Sequence, residues 1–127
     1  MIVDTHLHLN TEDYVHDLND VIKDAYTKGV EKLIVIGMDK KSSEKALEIA
    51  HAHDGVYATI GLHPGYVDEG NTDFIESMLN VSKVVGIGET GLDLYWQQDN
   101  LKAQQKSFLK HIELSIKHQM PLVIHTR

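Results

Sequence analysis

The sequence predicts an α/β fold on a parallel sheet, rolled as a barrel rather than laid open. Three observations carry this. The hydrophobic pattern alternates along the chain between strand-like runs and helix-like periods. The strand runs are apolar almost throughout, as strands buried on both faces are. Finally, the chemistry-bearing polar residues His6, His8, His63, Glu89 and His125 gather at the C-terminal ends of four separate strands. In a barrel those ends form one ring around one mouth, and that is where barrel enzymes keep their chemistry. An open sheet would spread the same residues along an edge.

The elements follow in order. "IVDT" is a short, mostly apolar strand. From Thr11 to Lys28 the period becomes helical, with Val15, Leu18, Val21, Ile22 and Ala25 on one face, and Gly29 stands where a C-terminal cap belongs. "KLIVIG" is a buried strand. Ser42 or Ser43 is placed to cap a second helix with Ala46, Leu47, Ile49 and Ala50 on its inner face. "VYATIGLHP" is a third strand, stopped at Pro64 because proline cannot continue the ladder. Asn71 to Asn80 reads as a short helix, "KVVGIGETG" as a fourth strand, and Leu101, Phe108, Leu109, Ile112 and Ile116 mark a long helix. "PLVIHTR" is the fifth strand. By count, five strands also suit an open flavodoxin-like sheet. The Gly-rich phosphate turn of a dinucleotide-binding unit is missing, however, since "GIGETG" does not match that fingerprint in spacing or ending.

Bulk properties narrow the function. A chain of 127 residues is at most one domain, and no linker, low-complexity tract or internal repeat divides it. There is no apolar run long enough to cross a membrane and no signal-peptide pattern, so a cytoplasmic protein is expected. With no cysteine, any metal must be held by His, Asp and Glu, which leans toward a catalytic rather than a structural zinc site. The net charge of -7 is the wrong sign for gripping nucleic acid with a broad basic surface. A phosphate-bearing substrate would therefore need bound metal and a few local bases.

The candidate site starts at "THLHL". His6 and His8 are two residues apart on a strand and so lean to one face, as a shared divalent ion requires; the bland alternative is two solvated strand ends. Asp4 is a candidate to orient a ligand imidazole, or else a strand-end hydrogen bond. Glu89 follows an apolar strand directly, where a carboxylate is costly unless paired or coordinated. Gly86, Gly88 and Gly91 around it leave room for a ligand's close approach. Such a glutamate can bridge two metals and place the water between them. Asp93 reads as a turn brace. His125 closes the set, and Arg127 could grip an anion bidentately or simply be solvated. His63 can line the mouth without being a ligand. Tyr95 and Trp96 can stack on a ring or pack a loop on the rim. His16, His51, His53, His111 and His118 fall in helical stretches and read as solvated surface.

"IVDTHLHL", "IGLHP", "VGIGETGLDLYW" and "PLVIHTR" resemble, in order and over the whole chain, the successive motifs of the TatD-type metal-dependent DNases, which are amidohydrolase-like TIM barrels. The resemblance implies a fold of parallel (β/α) TIM-barrel type, incomplete, with about the first five strands and four helices of eight. Residues 1–127 would be the N-terminal part of a single metal-dependent hydrolase barrel domain. By resemblance His6 and His8 are first-metal ligands, Glu89 is the shared and catalytic carboxylate, and His125 is a second-metal ligand. His63 and Arg127 would face the substrate phosphate. The family's further ligand histidine after strand six and ligand aspartate after strand eight have no counterpart here. Two divalent ions (zinc, magnesium or manganese) and a DNA substrate, at ends or in single strands, are implied; no protein partner is. Two other readings stay open: an amidohydrolase-type ester or amide hydrolase, and an inactive fragment. A five-strand piece would expose a strand edge and the barrel's apolar interior. It is expected to be unstable, to aggregate, or to complete itself through another chain.

Overall fold

The computed structural model describes residues 1–127. Its five strands are β1 (Ile2–Leu7), β2 (Val30–Ile36), β3 (Val56–Ile60), β4 (Val84–Leu92) and β5 (Leu122–Thr126). They pair in parallel in the order β1-β2-β3-β4-β5, so each strand lies beside its sequence neighbour and the sheet curls into a half-barrel. The helices α1 (Leu18–Thr27), α2 (Lys40–Ala52), α3 (Ile75–Met78) and α4 (Leu101–His118) make the connections. No helix is long and apolar enough to cross a membrane.

Two apolar clusters weld the helices to the sheet. Leu33 and Val35 of β2 and Val56 and Ala58 of β3 pack with Ile22 of α1 and with Ala46, Ile49 and Ala50 of α2. Ile60 and Ile87 pack with Phe74 and with Ile75 and Leu114 from α3 and α4. The other face and both edges of the sheet are open. β1 and β5 each have one neighbour, and Ile2, Val3 and Ile124 are exposed.

Local details depart from the periodicity. The helical stretch expected from Thr11 splits into a single 3-10 turn, Glu12–Tyr14, before α1. The second helix is capped by Asp39 rather than a serine; its carboxylate accepts from the Ser42 N–H at 2.7 Å while Ser42 Oγ accepts from the Asp39 N–H at 2.9 Å. The expected helix from Asn71 to Asn80 contracts to α3. The largest departure is in α4, where Leu109 and Ile116 are exposed and the buried residues are Gln104, Ser107, His111 and Leu114.

The glycines around Glu89 serve the backbone of β5 rather than the approach of a ligand. A Cβ on Gly91, at φ +143°, would lie 2.0 Å from the His125 carbonyl oxygen. One on Gly88, at φ +137°, would lie 2.5 Å from that of Val123. Gly91→Ala therefore combines a disfavoured backbone with a clash against an unyielding atom, and a loss of about 3 kcal/mol or more is expected in urea unfolding. A change below about 1 kcal/mol would show that β4 and β5 can part locally.

Candidate metal centre

Glu89 is the hub. It lies near the end of β4 with only 3% of its surface exposed, and imidazoles from three other strand ends close around it. His6 Nε2 is 2.7 Å and His8 Nε2 3.7 Å from Oε2, whereas His63 Nε2 and His125 Nδ1 are each 3.3 Å from Oε1. The donor atoms fall into two groups, His6–His8–Glu89 and His63–Glu89–His125, that share the carboxylate. Oε2 is buried and has no hydrogen bond of acceptable geometry, although His6 Nε2 is so close. A buried carboxylate oxygen without a hydrogen bond, facing the Nε2 atoms of His6 and His8, is an arrangement a divalent cation satisfies.

Ring tautomers separate the roles of the histidines. His125 Nε2 is 2.9 Å from the Asp93 carboxylate, which can only accept, so Nε2 carries a proton; in a neutral ring that leaves the lone pair on Nδ1, facing Glu89. His63 is the reverse. Its Nδ1 accepts from the Gly65 N–H at 2.9 Å, so its Nε2 is a donor facing Oε1. As it stands, His63 fits a hydrogen-bond donor at the mouth better than a ligand, even though it lies within the second group.

Burial raises the Glu89 carboxyl, but the hydrogen bond from His63 and the nearby His63, His6 and His8 outweigh it, so the group is held below its ordinary value. Burial also pushes the His8 imidazole down, against the opposing pull of Glu89, which keeps a neutral ring. A neutral imidazole beside a carboxylate anion is the protonation state metal binding requires.

Asp4 accepts from the backbone N–H of His6 at 3.2 Å, so it steadies the chain rather than a ring. The carboxylate that does orient a ring is Asp93, which also accepts from the Tyr95 N–H at 2.9 Å. Its signal was its spacing: four residues beyond Glu89 on a strand returns a side chain to the same face. Arg127 lies outside the Glu89 cluster. Its guanidinium is 4.1 Å from the centroid of the Tyr95 ring and 5.9 Å from that of Trp96. Trp96 is 78% exposed, so the pair does not pack the loop down on the rim.

The profile of the family described as TatD related DNase matches residues 3–127. An uncharacterized metal-dependent hydrolase of Bacillus subtilis, YabD, is 38% identical over all of the chain and 51% of its own length. The 3'-5' ssDNA/RNA exonuclease TatD of Salmonella typhimurium is 27% identical over 98% of the chain and 49% of its own length. The crystal structure of YjjV, a TatD homologue from Escherichia coli K12, superposes with a TM-score of 0.89 at 28% identity, covering 99% of this chain and 51% of that one. The chain thus spans about half the length of the curated relatives it matches.

Proposed function

Because the chain belongs to the TatD related DNase family, whose members matched here include metal-dependent hydrolases, we propose that the Glu89 cluster is the ligand set of a two-ion centre that hydrolyses phosphodiester bonds in single-stranded DNA or at DNA ends. One observation carries the reading: a single buried carboxylate faces two histidine groups, one with each oxygen. His6 and His8 with Oε2 would hold one divalent ion; His125 Nδ1 with Oε1 would contribute to the second. Bound there, such ions lower the pKa of a water, help orient it and neutralise charge on the phosphate. They would also offset locally a net charge of -7 that otherwise repels a polyanion.

The protein's own groups do the rest. Asp93 keeps the proton on His125 Nε2, and so keeps Nδ1 free. His63, held as an Nε2–H donor by Gly65, would hydrogen-bond a phosphate oxygen. Arg127, braced on the Tyr95 face, would offer a planar cation for the same class of anion. The Salmonella relative, a 3'-5' ssDNA/RNA exonuclease, supports a nucleic-acid substrate. Hydrolysis of esters or amides at the same centre is the competing reading.

The test is elemental mass spectrometry of the purified chain, then assays with manganese, zinc or magnesium on single-stranded oligonucleotides beside aryl ester and amide substrates. About one or two ions per chain with cleavage confined to the oligonucleotides is the expected result. Ester or amide turnover without oligonucleotide cleavage would overturn the substrate, and bound ions with no turnover of anything would overturn catalysis by this chain.

A further inference from the structure

The inner face of α4 is polar where a barrel's outer helix ordinarily packs on the sheet with apolar side chains. Gln104, Ser107 and His111 lie three and four residues apart, on one side of the helix, and all are buried. Gln104, 1% exposed, commits its whole amide to the neighbouring loop. Its Oε1 accepts from the Asp93 N–H at 2.8 Å; its Nε2 donates to the Asp93 carbonyl at 2.9 Å and to Asn100 Oδ1 at 2.8 Å. The backbone of Asp93 is thus pinned on both sides by one side chain, while the carboxylate of the same residue accepts a hydrogen bond from the Nε2–H of His125. His111 does something similar one loop away: its Nε2 accepts from the N–H of Leu62, the residue before His63, at 3.0 Å.

We infer that Gln104 is a positioning residue for the candidate centre: by pinning Asp93 it sets the tautomer and orientation of His125, so that Nδ1 and not Nε2 faces Glu89. Only the last step, the use of Nδ1 as a ligand, rests on the metal-centre reading above. Leu92 and Leu94 on either side bond to the Arg127 backbone, but the peptide groups of Asp93 itself are held by Gln104; without that hold the carboxylate could swing away from His125, and the ring would then be free to carry its proton on either nitrogen. With the loop held through both its N–H and its C=O, Asp93 has one place to be, and the ring one low-energy state.

The experiment reads the ring nitrogens of His125 by 15N NMR in the metal-free chain at a fixed neutral pH, then the affinity for Co2+ from its visible absorption. Gln104→Met keeps the volume and the helix propensity and removes every hydrogen bond. Leu114→Ala, buried in the same helix and away from Asp93, controls for destabilisation alone. Wild type and Leu114→Ala are expected to show one tautomer, protonated at Nε2. Gln104→Met should show a mixture and bind Co2+ about 10- to 100-fold more weakly than Leu114→Ala. An unchanged His125 signature in folded Gln104→Met would overturn the positioning role. A changed signature with unchanged affinity would overturn the link to the metal and leave the hold on the ring standing. Absence of Co2+ binding by the wild type would overturn the centre itself. Should Gln104→Met fail to fold, Gln104→Glu keeps an acceptor for the Asp93 N–H and loses the donor to its carbonyl. A partial mixture is then expected, and a wild-type ring would again overturn the inference.

Discussion

Glu89→Gln is expected to strip both halves of the centre of their ions while the chain stays folded. The two groups, His6–His8–Glu89 and His63–Glu89–His125, share no other residue, so a single change reaches both. Glutamine matches glutamate in shape but its amide is a poor ligand and carries no charge. Loss of an outer partner alone weakens metal sites 10- to 100-fold, so loss of the shared ligand should exceed about 100-fold. Hydrolysis, where the loaded chain shows it, should fall with the ions. The fold should survive because the substitution leaves no buried charge unpaired and no cavity. Elemental analysis and far-ultraviolet circular dichroism of the two proteins side by side check this. Ion binding at the wild-type level would remove Glu89 from the centre, whereas loss of the circular dichroism signal would make the carboxylate a structural group.

A second large effect is expected at His111, through stability rather than chemistry. The ring is 0% exposed. Its Nε2 accepts from the Leu62 N–H at 3.0 Å, so Nδ1 carries the proton and donates to the Ser107 carbonyl at 2.6 Å. His111→Ala leaves the buried Leu62 N–H without its partner, removes the second donor from the Ser107 carbonyl, and opens a cavity between α4 and the loop after β3. A cost of about 3 kcal/mol or more is expected in urea unfolding.

The pH dependence carries the same signature. Burial pushes the His111 imidazole below its ordinary value, with the Ser107 carbonyl pulling the other way. Between that lowered value and about 6.5 the unfolded chain takes up a proton that the folded chain refuses. The stability is thus fully present above about pH 6.5 and declines as pH falls, by up to about 1.4 kcal/mol per pH unit for one such group. Because His8 is depressed as well, the informative quantity is the difference between wild type and His111→Gln measured at both ends of that window. Glutamine has no proton to gain, so the variant should lose less stability on acidification. Equal acid sensitivity of the two proteins would clear His111.

Reading α4 from its sequence shows where periodicity fails. Leu109 and Ile116, part of the apolar period that marks the helix, are exposed, whereas His111, read as solvated surface, is buried together with Gln104. Hydrophobic pattern finds a buried face only when that face is apolar, and here it holds side chains that bond to loop backbones. A glutamine that will meet the N–H and C=O of Asp93 has the same local sequence as one that meets water. Asp93 was undervalued for the same reason, and Asp4 overvalued, because both are strand-associated aspartates close to candidate ligands. What separates them is the position of His125, which is 32 residues distant from Asp93 along the chain.

What the sequence determined by itself is the strand and helix order, the parallel α/β class and the strand ends bearing His6, His8, His63, Glu89 and His125. These are matters of local period and of where a polar residue interrupts an apolar run, and both are written in neighbouring residues. Only the tertiary structure decided that Glu89 faces two groups with its two oxygens, that His63 is held as a donor and His125 as an acceptor, and that α4 pins the loop between them. Those facts depend on distances between residues far apart in the chain, and on which nitrogen of each ring another group has already taken.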